Sequence, residues 1–119
     1  MISLAVAPFK QALKTEGTVV IVPHKNPDGD ALGSCLALYH FLSDQGFECQ
    51  VIAPNGYPDF LSWLPGSEDI LIAENELEKA GDYVRRASLI FTLDFNDLSR
   101  CGALEESISA ATGLKLMID

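Results

Sequence analysis

Basic residues are scarce in this sequence. It has 8 lysines and arginines against 17 aspartates and glutamates, which gives a net charge of −9. Proteins that hold duplex DNA rely on clustered cations that neutralise phosphates, so we do not expect this chain to bind duplex DNA. A small anionic substrate could still bind if metal cations offset part of the acidity. Clustered carboxylates are therefore the feature to look for.

Long hydrophobic runs are also missing. No apolar stretch reaches the roughly 18 residues that a membrane-spanning helix needs, and no basic residue precedes the apolar start of the chain. The sequence therefore predicts neither a membrane span nor a signal peptide. With 119 residues, the chain is long enough for one domain with a single core.

The three cysteines do not form a recognisable framework. Cys35, Cys49 and Cys101 are an odd number at wide, irregular spacing, which is typical of neither a disulfide scaffold nor a zinc ribbon. We interpret them as reduced, buried thiols of a cytoplasmic protein.

Short apolar or β-branched runs alternate with helical patterns along the chain. The runs are continuous, as in strands that are covered on both faces. Strands alternating with helices predict βαβ units and hence a Rossmann-like, three-layer α/β fold whose mostly parallel sheet of about five strands is flanked by helices. The predicted strands are Thr18 to Pro23, Cys49 to Ala53, Asp69 to Ala73, Ser88 to Leu93 and Leu114 to Ile118.

The clearest helical pattern runs through Leu32, Cys35, Leu36, Tyr39 and Leu42, with Gly46 as its left-handed cap. Other segments have weaker patterns. They are a helix from Ile2 towards Gly17, a short piece from Tyr57 to Leu64, a helix capped by Asn75 and running to about Arg86, and a helix from Leu98 to Ala111.

Chemically active side chains follow three of the predicted strands. His24, Asp28 and Asp30 come after the first strand, Asp94 after the fourth and Asp119 after the fifth. Ligands of parallel sheets bind outside the carboxyl ends of the strands, so these side chains could meet. Gathered carboxylates repel one another unless cations compensate them. Oxygen-rich ligation with an imidazole suits Mn²⁺, with Mg²⁺, Fe²⁺ or Co²⁺ as competitors.

A structural interpretation of the same residues stays open. Asp28 or Asp30 could be the N-cap of the following helix, and an aspartate in that position is by itself more often a cap than a metal ligand. His24 could be a hydrogen-bonded residue at a strand end, and Asp94 a turn residue. The combination of all five residues is what favours a metal site.

Three motifs carry a family resemblance. The first stretch reads HKNPDGDALGS and is similar to the first motif of the DHH phosphoesterases, in the form of the nano-RNase and pAp-phosphatase branch. Residues 89–97 read LIFTLDFND and resemble the second motif, with Asp94 as its aspartate. The last residues read LKLMID and resemble the approach to the Asp-His-His motif, with Asp119 as its aspartate.

The resemblance implies a two-metal site occupied by Mn²⁺. In it, His24 and Asp28 would bind one ion, Asp30 the other, and Asp94 both. Asp119 would be a ligand or an acceptor that orients a histidine. Two such ions can activate a shared hydroxide and place it in line with a phosphorus atom. Hydrolysis would then need no protein nucleophile.

The implied function is hydrolysis of short single-stranded oligoribonucleotides from an end, and of 3′-phosphoadenosine 5′-phosphate (pAp). Within the superfamily, a cyclic or linear dinucleotide phosphodiesterase and an inorganic pyrophosphatase remain alternatives, and so does a non-catalytic nucleotide-binding module. Because the sequence ends before the expected histidines, we expect residues 1–119 to be the N-terminal portion of a DHH catalytic domain. Without the C-terminal substrate-binding domain we expect this portion to be inactive alone. The oligomeric state stays open, with a homodimer as one option.

Overall fold

A five-stranded parallel sheet forms the centre of the structure, a computed structural model that describes residues 18–93, 102 and 104–118. The strand order is β3-β2-β1-β4-β5, and every pairing is parallel. The predicted α/β architecture is confirmed, and the sheet is parallel throughout. The strands are β1 Thr18–Pro23, β2 Glu48–Ala53, β3 Leu71–Ile72, β4 Ala87–Leu93 and β5 Leu114–Ile118.

Helices cover both faces of the sheet. Helix α1 (Gly29–Asp44) packs on one face through Cys35, Leu36 and Leu42. Helices α2 (Leu77–Arg86) and α3 (Glu105–Ala110) cover the other. Strand β1 is buried along its whole length because it lies in the middle of the sheet and contributes to both apolar clusters. None of the helices in the described part of the chain has the length and apolar character that a membrane span requires.

Local sequence explains where α1 begins and ends. The Asp28 side chain accepts a hydrogen bond of 2.9 Å from the backbone N–H of Ala31, which makes Asp28 the N-cap. At the other end, Gly46 has a φ of +92°, and its N–H donates to the Ser43 carbonyl while the Phe47 N–H donates to Leu42. This is a Schellman motif, so the predicted left-handed cap at Gly46 is confirmed.

The third predicted strand is shorter than expected. Ser67–Asp69 form a 3₁₀ turn, and only Leu71–Ile72 pair with β2. The Gln50 side-chain amide donates to the Asp69 carbonyl at 2.7 Å, so this backbone group is satisfied without strand pairing. The short piece predicted for 57–64 contains a 3₁₀ turn over Asp59–Leu61.

Several other predictions need correction. Glu76, not Asn75, is at the N-cap position of α2, because the N–H groups of both residues donate to Ile72 in a preceding turn. Strand β5 is a sheet edge, so Leu114 is partly exposed rather than covered on both faces. Cys35 is buried as predicted, but Cys49 is only half-buried.

Some predictions fall outside the described residues. These are the helix from Ile2 to Gly17, Cys101, and residues 98–101 and 103 of the predicted helix that contains α3.

Candidate functional site

Three strand ends lie level at one edge of the sheet. Pro23 at the end of β1 is in register with Leu93 of β4, and Leu93 is in register with Ile118 of β5. From β1 the chain passes through α1 to β2, which pairs with one side of β1, whereas β4 pairs with the other side of β1. The strand order therefore changes direction between β1 and β4. Such a change of direction is where the crevice of an open parallel sheet forms. His24 is the residue that follows β1 at this point.

The His24 ring is oriented by a backbone contact. Its Nδ1 lies 2.7 Å from the Lys25 carbonyl oxygen. Because a carbonyl oxygen can only accept, Nδ1 carries the hydrogen and donates it. In the neutral imidazole the lone pair is then on Nε2. Metal-binding histidines commonly show this arrangement, in which one ring nitrogen donates to a carbonyl and the other binds the ion.

Asp28 and Asp30 lie at the beginning of α1, and both are exposed. One carboxylate oxygen of Asp28, Oδ1, accepts the capping hydrogen bond. A carboxylate has two oxygens with several acceptor positions, so the cap does not use up the ligand capacity of Asp28. Asp30 lies in the first turn, where the helix dipole favours a negative charge. The capping prediction is confirmed for Asp28, and its role as a ligand stays a prediction.

Two asparagines tie the loop that carries His24 and Asp28 to the loop after β2. The Asn26 backbone N–H donates to Oδ1 of Asn55, and Nδ2 of Asn55 donates to Oδ1 of Asn26, each at 2.6 Å. We call this pair the Asn26–Asn55 clasp. Asn26 has a φ of 55°, a left-handed conformation that asparagine adopts more readily than most residues. The clasp holds that conformation in place.

A hollow of about 320 Å³ opens beside Asp28. Its described lining consists of Asn26, Pro27 and Asp28 from the loop after β1, and Gly56 and Pro58 from the loop after β2. The two loops that form its walls are the ones that the clasp joins. Gly102 lies near the same loops, since a Cβ placed there would be 3.7 Å from the Cβ of Pro54 and 3.9 Å from that of Lys25.

The structure tests only part of the predicted metal site. Asp94 and Asp119 lie outside the described residues. Within residues 18–93, 102 and 104–118, no three histidine, cysteine, aspartate or glutamate side chains are grouped so that they could hold a metal ion. The five-residue site and its Mn²⁺ ions therefore stay predictions. The clasp and the hollow were not predicted, and their only sequence signal is an asparagine shortly after each of two strands.

The chain is similar to known proteins in both sequence and structure. Residues 18–119 match the DHH family, N-terminal domain. A bifunctional oligoribonuclease and PAP phosphatase, NrnA, from Thermus thermophilus is 44% identical over 54 residues, which are 45% of this chain and 16% of that protein. An exopolyphosphatase-related protein from Bacteroides fragilis is 43% identical, with a TM-score of 0.93 over 98% of this chain and 34% of the other.

The chain thus spans about a sixth of the Thermus protein and about a third of the Bacteroides protein. The family match covers most of the chain and includes the residues that follow β1, β4 and β5. On this evidence, the chain belongs to the DHH family.

Proposed function

We propose that the protein carrying this domain is a Mn²⁺-dependent phosphoesterase that hydrolyses short oligoribonucleotides and pAp. The observation that carries the proposal is the level register of Pro23, Leu93 and Ile118. The next residues in the sequence are His24, Asp94 and Asp119. Consecutive Cα atoms are about 3.8 Å apart and neighbouring strands about 4.8 Å, so this register supports a shared pocket for the three side chains.

The donor chemistry of the described residues fits a metal ion. His24 presents the lone pair of Nε2, because Nδ1 donates to the Lys25 carbonyl. Asp28 keeps its second carboxylate oxygen beside the capping interaction, and Asp30 is exposed at the beginning of the same helix. A set of imidazole and carboxylates without a thiolate suits Mn²⁺.

Each residue of the proposed site would have a distinct task. His24 and Asp28 would hold one ion, Asp30 the other, and Asp94 both, with Asp119 as a ligand or as an acceptor that orients a histidine. Two bound ions would supply an activated water and neutralise phosphate charge. The clasp would keep the loop between His24 and Asp28 in one conformation, which limits the reorganisation needed when substrate binds.

The names of the two relatives point to different substrates. The Thermus relative is named for oligoribonucleotides and PAP, and the Bacteroides relative for a relationship to exopolyphosphatases. We favour nucleotides because the first motif of this chain has the Asn-Pro-Asp-Gly-Asp form. Hydrolysis of cyclic dinucleotides or of pyrophosphate is the competing activity.

A substrate screen with the full-length protein tests the proposal. Purified protein with Mn²⁺ is incubated with pApA, pAp, cyclic di-AMP and pyrophosphate, and the products are separated by anion-exchange chromatography. We expect AMP from pApA and from pAp, and no product when EDTA replaces Mn²⁺. Cleavage of pyrophosphate alone would overturn the proposed substrate class, and cleavage of none would overturn the proposed activity.

A further inference from the structure

Lys25 lies between two residues whose contacts fix the loop after β1. His24 precedes it, and Nδ1 of the His24 ring donates to the Lys25 carbonyl at 2.7 Å. Asn26 follows it, with a φ of 55° and a backbone N–H that donates to Asn55 in the clasp. The backbone of Lys25 is therefore held on both sides, and the residue itself is exposed.

The ammonium group of Lys25 forms no ion pair with the described residues. Asp28 and Asp30 follow shortly in the sequence, yet neither is paired with it. The Lys115 ammonium, by contrast, donates to the Ser109 carbonyl at 3.3 Å. A cation that stays unpaired in a chain with 17 acidic and 8 basic residues is available to an anion from outside the chain.

The side chain of Lys25 begins beside the segment that follows β4. A Cβ placed on Gly102, in that segment, would be 3.9 Å from the Cβ of Lys25. Consecutive Cα atoms are about 3.8 Å apart, and an extended lysine side chain adds roughly 6 Å, so the ammonium can lie up to about 10 Å from the His24 Cα. A phosphate one nucleoside away from a cleaved phosphate at His24 is within this range.

The proposed metal ions would not by themselves neutralise a second phosphate. Four carboxylates are proposed around them, those of Asp28, Asp30, Asp94 and Asp119, and their negative charge equals the positive charge of two Mn²⁺ ions. A substrate with another phosphate beside the cleaved one therefore needs a further cation. The lysine ammonium is a compact charge with three donors, which suits phosphate oxygens.

We infer that Lys25 binds the phosphate that is not cleaved and so determines a preference for substrates with a terminal 5′-phosphate. The inference rests on the proposed function, because it requires the cleaved phosphate to lie at His24 and Asp28. In pApA and pAp, the uncleaved group is the 5′-phosphate, one nucleoside away from the cleaved bond. Lys25 would contribute to binding and selectivity rather than to bond cleavage.

Non-cleavable dinucleotides separate this binding from hydrolysis. The probes are analogues of pApA and ApA in which a methylene group replaces the bridging 3′-oxygen. Titration calorimetry with the full-length, Mn²⁺-loaded protein gives the Kd of each. We expect the wild type to bind the pApA analogue at least about tenfold more tightly than the ApA analogue, because a hydrogen bond between charged groups is stronger than a neutral one.

Three variants assign that preference to one side chain. Lys25→Met keeps the length of the side chain but removes the ammonium, so the preference for the pApA analogue should be lost. Lys25→Arg restores a cation and should keep most of the preference. Lys79→Met is the matched control, since Lys79 is exposed on α2 and lies outside the loop after β1. It should show the wild-type preference.

Three results would overturn the inference. They are equal binding of both analogues by the wild type, no binding of either analogue, and a preference that survives in Lys25→Met. If the preference depends on Lys25 but the substrate screen shows no cleavage, the phosphate contact stands and the proposed hydrolysis fails. If pApA is cleaved while the preference does not depend on Lys25, only the contact fails.

Discussion

Asp28 has two roles in our account, and substitutions can separate them. It is the N-cap of α1, through the hydrogen bond from Ala31, and it is also a proposed metal ligand. Asparagine and serine cap helices about as well as aspartate, whereas alanine does not. Asp28→Asn and Asp28→Ser therefore keep the cap and remove the anionic ligand, while Asp28→Ala removes both.

The expected changes in stability are modest and ordered. Loss of a capping side chain costs about 0.5–2 kcal/mol, and the exposure of Asp28 places Asp28→Ala near 1 kcal/mol. This corresponds to a decrease in Tm of about 2–8 °C, depending on the length of the cooperative unit. Asp28→Asn and Asp28→Ser should remain within about 0.5 kcal/mol of wild type. Thermal melts in EDTA measure this without any contribution from metal binding.

The three Asp28 variants should lose Mn²⁺ affinity alike, although they differ in stability. Loss of a supporting group around a metal site typically costs about 10- to 100-fold in affinity, and loss of a ligand should cost at least the larger factor. We therefore expect all three variants to bind Mn²⁺ at least about 100-fold more weakly in titration calorimetry. Wild-type Mn²⁺ affinity in Asp28→Asn and Asp28→Ser would show that Asp28 is a cap only, and the metal assignment would be refuted.

Five further substitutions test other parts of the structure. Asn55→Ala removes both clasp hydrogen bonds, and Asn55→Asp places an oxygen against Oδ1 of Asn26. We therefore expect both variants to bind Mn²⁺ more weakly than wild type in calorimetry, and Asn55→Asp more weakly than Asn55→Ala. Wild-type Mn²⁺ affinity in both variants would contradict this. Gly113→Ala would bring a Cβ into overlap with a carbonyl of β4, whereas a Cβ at Gly33 meets no atom within 4 Å. In urea unfolding, Gly113→Ala should lower the free energy of unfolding by at least about 2 kcal/mol. Gly33→Ala should lower it little or raise it, because alanine favours a helix more than glycine does. The buried Thr92 hydroxyl has no hydrogen-bond partner in the described structure, so Thr92→Val should raise stability by about 1 kcal/mol in the same assay, and a loss would show that the hydroxyl is satisfied.

The bounds of two strands could be predicted from the sequence although their burial differs, since β1 is buried throughout and β5 is a partly exposed edge strand. Continuous apolar runs predicted β1 and β5 with the bounds that the structure shows. The cap of α1 at Gly46 was predictable because a left-handed turn strongly favours glycine. The length of strand β3 was overestimated, because its apolar run is similar to those of the other strands. The residues at the start of that run instead form a 3₁₀ turn, and the Gln50 side chain donates to the Asp69 carbonyl.

Features that join distant parts of the chain could not be predicted. The clasp connects two residues that are 29 positions apart, and it exists because β1 and β2 pair in one particular register. The hollow depends on the same pairing, because its walls come from both loops. The level strand ends could be expected from parallel topology, but the residue-by-residue alignment of Pro23, Leu93 and Ile118 needed the structure.

A Mn²⁺ titration tests the two-metal site most directly. The full-length protein, freed of metal by chelation, is titrated with Mn²⁺ in the calorimeter, and Asp94→Asn is titrated in parallel. Our account predicts about two ions per chain for the wild type and a marked loss of binding in Asp94→Asn, because Asp94 is proposed to contact both ions. The absence of Mn²⁺ binding by the wild type, or unchanged binding in Asp94→Asn, would contradict it.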